Sequence, residues 1–486
     1  AARHRYVGPH LLSSYPLVVI GGGPCGMSAA IAAAESGLSV LLIDENPSTG
    51  GQIYRKTWAE ATGGDEASPD EALHGGGRLR ARLRELADRI EVLTDTRVWG
   101  IFDGTRVAIS GPAGWETIHA ERLVLAPGAH EFVPPFPGWT LPGVQTPGAA
   151  QTMVKSMGVL PGKRALVAGT GPFLLVVANA LHEAGVEVVA VVDSVRRGEV
   201  LRALPAMMGQ PGLLLDGWRY LRQLKRARIP VITGHVVTEA RGADEIEHAT
   251  IAACDRSWRP DLERQRDFEV DTLCVSYGFV PRMQLASLAG CKLHHVDELG
   301  GWLPETAEYG RTTVPGVWCA GDGAGVAGVI VAEAEGQLAG LDAARDAGVL
   351  SDAEFQRRSR GARRSLKGMG RFRAALDGLS RMRPGLSTLA QPDTVVCRCE
   401  ELTQSEVQTA VDAGCTRMRD LKVATRLCMG PCQGRMCWPS VSRGIANSTG
   451  IPIEELGPTS VRPPLGGVTL GDLAQEGAPV KRRFEG

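Results

Sequence analysis

Apolar residues along this chain fall into two patterns, short unbroken runs rich in β-branched residues and longer stretches with helical spacing. Leu17-Val18-Val19-Ile20 and Leu38 to Ile43 are unbroken runs, as expected of parallel strands buried on both faces. The Ala-rich stretch between them predicts a helix. Leu79, Leu83, Leu86 and Ile90 share one face of a charged amphipathic helix, and Glu91 to Val107 alternates like strands. Leu123 to Ala129 is another buried strand ending in a small-residue turn. Arg164 to Ala168 and Val186 to Val192 are strands flanking a helix that runs to Ala184. Val317 to Ala320 is a strand and Gly321-Asp322-Gly323 a tight turn. The helix after it, to Gly340, is so rich in small residues that close packing against a large ligand is expected. Phe355 to Arg383 predicts a basic helix, solvated or at an interface, which Arg383-Pro384-Gly385 ends. Thr403-Gln404-Ser405-Glu406 is a capping box for a helix that Gly414 ends. Trp58 to Gly77 reads as a polar surface excursion, and Pro134 to Pro147 as a rigid crossing between domains.

The first strand runs straight into Gly21-Gly22-Gly23-Pro24-Cys25-Gly26, a G-x-G-x-x-G turn that opens the helix. Gly21 makes the tight turn, Gly23 lets backbone approach a pyrophosphate, and Gly26 lets helix pack on strand. The helix start offers N–H groups and a positive dipole end to phosphates. Asp44 and Glu45 close the second strand, where an acid takes ribose hydroxyls. A bound ADP-containing cofactor is expected; a merely structural glycine turn is the alternative. Gly169-Thr170-Gly171-Pro172-Phe173-Leu174 repeats the pattern imperfectly, because Leu174 stands where the third glycine belongs. Asp193 there suits a free ribose hydroxyl, while Arg196 and Arg197 suit a 2′-phosphate. A working dinucleotide site and a retained fold with a weak or different occupant both stay open. The fold class is α/β, with two Rossmann-like units.

A chain of 486 residues exceeds one core, so two to four domains are expected. A net charge of -1 gives no reason to expect nucleic acid or membrane as a partner. No apolar run is long enough to span a bilayer uninterrupted. The start, AARHRYVGPH, has neither the apolar core of a secretory signal nor an initiator Met, so trimming or omission is expected there. The cytoplasm is the expected compartment, because Cys25, Cys254, Cys274, Cys291 and Cys319 are scattered as buried small hydrophobes usually are.

The other cysteines are concentrated. Cys397-Arg398-Cys399 is a C-x-C pair, and Cys432 to Cys437 a C-x4-C pair held tight by Gly430, Pro431 and Gly434. Four thiolates on two turns suit an iron–sulfur cluster or tetrahedral zinc. Zinc favours C-x2-C knuckles, so [2Fe–2S] on Cys397, Cys399, Cys432 and Cys437 is the expectation. Cys415 and Cys428 are spare, though Cys428 lies close enough to leave the ligand choice open.

GGGPCG with Asp44, then GGQI, LAPGA and TTVPGVWCAGD, resemble the two-dinucleotide-binding-domain flavoproteins that include thioredoxin reductase. CRCEE and TRLCMGPCQGRMC resemble the ferredoxin-like domain related to bacterioferritin-associated ferredoxin. With PFPGWTLPGV and SYGFVPR, nearly the whole chain resembles the α subunits of opine oxidases, hydrogen cyanide synthase and dye-linked proline or hydroxyproline dehydrogenases.

That resemblance implies an FAD domain at 1–157 and 269–345, split by a second dinucleotide-binding domain at 158–268. A basic helical linker at 346–390, a [2Fe–2S] domain at 391–455 and a Pro/Gly-rich tail at 456–486 would follow. FAD would lie on Gly21, Gly23, Pro24, Gly26, Asp44, Glu45, Gly51, Gln52, Ala126, Gly128, Gly321 and Asp322. Gly51 and Gln52 would run along the flavin, and Asp322 would bond the ribityl chain. Gly169 and Gly171 would take NAD(P) or another nucleotide. Substrate oxidation would belong to an amine-oxidase-like β subunit. FMN at the interface and one small further subunit are additional expectations. No residue of this chain is expected to be catalytic. Two departures stand out: the second domain has no C-x-x-C, and Cys428 stands where glycine is expected before Met429-Gly430. A stand-alone NAD(P)H-dependent reductase is the alternative function.

Overall fold

The computed structural model describes residues 13–58, 75–112 and 114–474. Most of the expected surface excursion, 59–74, lies outside them. The chain is α/β, built on two parallel five-stranded sheets. In the first, the order is Val317–Cys319, Leu123–Leu125, Leu17–Ile20, Val40–Ile43, Ile90–Leu93. Leu17–Ile20 is central and wholly buried, pairing Leu17 with Val40 on one side and Val18 with Leu123 on the other. Its neighbours lead away in opposite directions, which opens a crevice at the carboxyl ends of the strands.

One face of this sheet carries helices Pro24–Ala34 and Val329–Asp346; the other packs on a four-stranded sheet through Ile101, Val107, Ile109 and Ile118. Small residues of Val329–Asp346 let it pack closely on the first helix. A Cβ on Gly336 or Gly340 would stand 2.1 Å from the carbonyl oxygen of Cys25 or Ala29. The helix expected through Ile90 ends at Glu85. Ile90 instead begins an edge strand in register with Val40, its helical spacing overridden by burial in the sheet.

The second sheet runs Val144–Gln145, Thr272–Ser276, Arg164–Gly169, Glu187–Asp193, Val231–Thr233. Its first two strands lie outside the 158–268 span expected from the sequence: the Pro134–Pro147 crossing supplies the first, and Thr272–Ser276 follows that span. Beyond it, the basic segment forms two helices, Asp352–Arg358 and Arg360–Ser380, broken at the buried Ser359.

The last unit packs helices Gln404–Asp412, Met418–Thr425 and Trp438–Thr449 around Val407, Leu421, Leu427, Trp438 and Ile445. The capping box is made in full: Thr403 Oγ1 accepts from Glu406 N, and Glu406 Oε2 accepts from Thr403 N at 2.8 Å. This unit is bonded to the rest of the chain. Trp139 Nε1 donates to Val395 O (2.6 Å) and Arg443 to Asp297 (3.0 Å). Among the described residues, no helix is long and apolar enough to cross a membrane.

Candidate functional site

The crevice above Ile20 is shaped by glycines that a side chain would abolish. Gly21 has φ +104°, and a Cβ on it would lie 2.2 Å from Ala126 O. One on Gly26 would lie 1.7 Å from Gly21 O, so the helix is seated directly on the turn. Gly23 differs. Its Cβ direction meets only Gly51 Cα, at 3.8 Å, so it faces open space between two glycine loops. Gly51 in turn presses on Gly23, where a Cβ would come within 2.8 Å of its Cα. Pro24 opens the helix, whose amino end carries no side-chain cap. This open cradle, lined by backbone and an uncapped helix start, fits a pyrophosphate.

Asp44 is buried at the adjacent strand end. Its carboxylate accepts from Gly22 N (2.5 Å), Asn46 N (2.7 Å) and Asn46 Nδ2 (2.8 Å), which fixes the acid beside the cradle. Glu45 points elsewhere, accepting from Arg282 Nη1 at 2.9 Å. Burial pushes its carboxyl up, but Arg282, Arg97 and Arg435 together hold it below the usual carboxylate range. Gln52 is exposed and accepts from Arg55 Nη2 (3.2 Å). Ala126 is buried against the turn, and Gly128, at φ +70°, faces open space while its carbonyl accepts from Arg282 N (3.0 Å).

Gly321 N donates to Glu335 Oε2 (2.9 Å), and Asp322 Oδ1 accepts from Ala327 N (2.8 Å) and Gly328 N (3.0 Å). Asp322 therefore ties the loop that leads into Val329–Asp346. Glu335, Arg55, Arg282, Glu131 and His130 were not foreseen from the sequence. Burial pushes Glu335 and Glu131 up to about 7. Glu335 was hidden as one acid of an ordinary helix, whereas Arg282 was visible inside SYGFVPR.

The second glycine turn has the same tight start. Gly169 is wedged against Ser276 O, where a Cβ would fall at 1.6 Å, and a Cβ on Gly171 would be in ordinary contact with Ser380 Oγ at 3.7 Å. Asp193 accepts from Val195 N (2.9 Å), and burial pushes its carboxyl up to about 7. Arg196 is bonded to Cys254 O. Over this mouth lies the segment after helix Arg360–Ser380. Met382 joins the core beneath it, and Arg383 pairs with Glu199 (2.8 Å), donates to Arg256 O (2.6 Å) and stacks on Trp258.

The cysteines of the last unit draw together. Cys437 Sγ lies 3.4 Å from Cys428 Sγ, Cys437 also neighbours Cys397, and Cys399 neighbours Cys432. Cys397, Cys428 and Cys437 are buried; Cys399 is exposed. Gly430 and Gly434 let the loops close, since a Cβ would stand 2.2 Å from Cys399 Cβ or 2.8 Å from Cys428 Sγ. Among the described residues, no three His, Cys, Asp or Glu side chains are arranged to hold a single metal ion. The loop is tied to the first unit by His130 Nε2, 3.0 Å from Arg435 O.

Residues 15–339 match the sequence profile of the pyridine nucleotide-disulphide oxidoreductase family. The chain belongs to that family. Residues 391–476 match the sarcosine oxidase A3 domain. Hydrogen cyanide synthase subunit HcnB of Pseudomonas protegens is 37% identical over 89% of this chain and 92% of its own length. An opine oxidase subunit of Agrobacterium tumefaciens is 33% identical over 97% of this chain and 94% of its own length. Among solved structures, L-proline dehydrogenase from P. horikoshii shares the fold, with a TM-score of 0.66 at 20% identity over 97% of this chain and 82% of that one. The resemblance drawn from the motifs therefore holds, and the chain is an FAD-dependent oxidoreductase.

Proposed function

We propose that this chain is the electron-transfer α subunit of a heteromeric dehydrogenase or oxidase acting on CH–NH or CH–NH2 donors of the opine, proline or hydroxyproline type. FAD is held in the first unit and a [2Fe–2S] cluster in the last. A separate amine-oxidase-like β subunit oxidises the substrate, with FMN at the interface and a small additional subunit in the assembly. The cytoplasm is the compartment proposed. That the two relatives are named as subunits of larger enzymes supports this assignment.

The observation that carries the reading is the arrangement of thiols and their attachment. Cys397 and Cys399 from one loop and Cys432 and Cys437 from another come together as a four-thiol set, and their C-x-C and C-x4-C spacings depart from the C-x2-C knuckles of zinc. His130 bonds the same loop to the strand leaving the Ala126–Gly128 turn. A bound flavin supplies two-electron acceptance and a bound two-iron cluster single-electron transfer. The chain's own residues do the holding. The Gly21–Gly26 turn cradles the pyrophosphate, Asp44 takes the ribose, Gly51 and Gln52 border the flavin, and Asp322 fixes the loop on its ribityl side.

The stand-alone reductase requires NAD(P)H to reach Gly169 and Gly171. Leu174 stands where the third glycine belongs and Ser380 lies beside Gly171, which weighs against it. Purifying the chain with whatever co-elutes and identifying flavin, iron and acid-labile sulfide tests the proposal. A lone chain holding only FAD and reduced rapidly by NADH would overturn it.

A further inference from the structure

Cys428 has no place in the expected ligand set, yet the fold accommodates it at a cost. Its backbone sits at φ +66°, a conformation that glycine adopts freely and a side-chain-bearing residue resists. The family resemblance leads one to expect glycine there. The thiol is nevertheless buried, with 1% of its surface exposed, and its Sγ lies 3.4 Å from Cys437 Sγ. Gly434, at φ +83°, makes room for it: a Cβ there would stand 2.8 Å from Cys428 Sγ. Both cysteines belong to one loop, nine positions apart, whereas Cys397 lies on a separate hairpin.

We propose that Cys428 and Cys437 are a dithiol pair that closes to a disulfide when the loop carries no cluster. Closure withdraws Cys437 from the ligand set until the bond is reduced. Only this consequence for loading rests on the two-iron reading; the disulfide does not. Hydrogen peroxide is the oxidant class. Two S–H bonds break and one S–S bond forms, and the thiols lose two electrons and two protons. The O–O bond takes up both and leaves as water. A small dithiol returns the electrons and protons and reopens the pair.

The test uses the full chain, stripped of metal, reduced, exposed to one equivalent of hydrogen peroxide, alkylated and mapped by mass spectrometry. A Cys428–Cys437 cross-linked peptide is expected, together with a loss of iron and sulfide uptake that dithiothreitol restores. Cys428→Gly places the residue that this backbone favours, so the variant should fold. It should show no cross-link and should load after the same exposure. A Cys397–Cys437 or Cys399–Cys432 cross-link with Cys428 left free would overturn the pair, as would equal loss of loading in the variant. If the two-iron reading itself is wrong, reduced wild-type chain takes up no iron and sulfide, while the peptide map still decides the disulfide.

Discussion

His130 Nε2 lies 3.0 Å from the carbonyl oxygen of Arg435, joining the strand that leaves the first nucleotide crevice to the loop that bears Cys432 and Cys437. The ring donates through Nε2 and its Nδ1 is buried without a partner. A second proton on the ring would strand an N–H at the buried Nδ1, so burial favours the neutral imidazole. His130→Ala should weaken attachment of the last unit by about 1–2 kcal/mol, the net worth of one such bond plus a stranded acceptor. Thermal unfolding and limited proteolysis of the 391–474 region would read this, with FAD content unchanged. An unaltered proteolysis pattern would remove His130 from the account.

Acid should destabilise the buried ring that makes this contact. Burial holds the His130 ring down to about 3, against 6.5 ordinarily, so folding disfavours its proton. The stabilisation is complete above 6.5 and is lost as pH falls toward 3. Proteolytic release of the last unit should rise across that window in wild type and flatten in His130→Asn.

Glu335 works in the opposite sense. Burial raises its carboxyl from 4.5 to about 7, so the folded chain holds the proton more tightly than the unfolded one. Its contribution is present below 4.5 and is lost as pH rises through 7. Glu335→Gln, which can still accept from Gly321 N, should be more stable than wild type in mildly alkaline buffer. The gain is on the order of 3 kcal/mol and should vanish under acid conditions. Denaturant unfolding at two pH values checks the sign.

Two glycine substitutions should separate folding from cofactor binding. Gly26→Ala drives a Cβ into Gly21 O and should destabilise the chain by about 1–3 kcal/mol or prevent folding. Gly23→Ala meets open space and should leave unfolding nearly unchanged while FAD affinity drops at least about tenfold, because the methyl enters the pyrophosphate cradle. Equal FAD affinity in Gly23→Ala would place the cofactor elsewhere.

Nucleotide access gives a further expectation. With Ser380 against Gly171 and Arg383 locked to Glu199, NADH added to the purified chain should leave the flavin oxidised in stopped-flow. Rapid bleaching would favour the stand-alone reductase.

What the sequence reveals, and what it conceals, follows one physical line. The buried strands, the Gly21–Gly26 turn, Asp44 and the Thr403–Glu406 capping box depend on neighbours a few positions away or on a fixed spacing, so periodicity and motif expose them. The Ile90 boundary fails because a helical four-residue step coincides with the start of an edge strand. The purpose of Gly336 and Gly340 is hidden too, since small residues suit a ligand and a neighbouring helix equally. Ser380 over Gly171 and His130 on Arg435 arise where distant segments dock, and no local pattern encodes that.

The most direct test is to purify the chain together with any partner that co-elutes, reduce it with dithionite and measure iron, sulfide, zinc and the electron paramagnetic resonance spectrum. The account predicts iron and sulfide in equal amounts, with a signal from a reduced two-iron cluster that Cys432→Ser abolishes while FAD remains. Stoichiometric zinc with no such signal would contradict it.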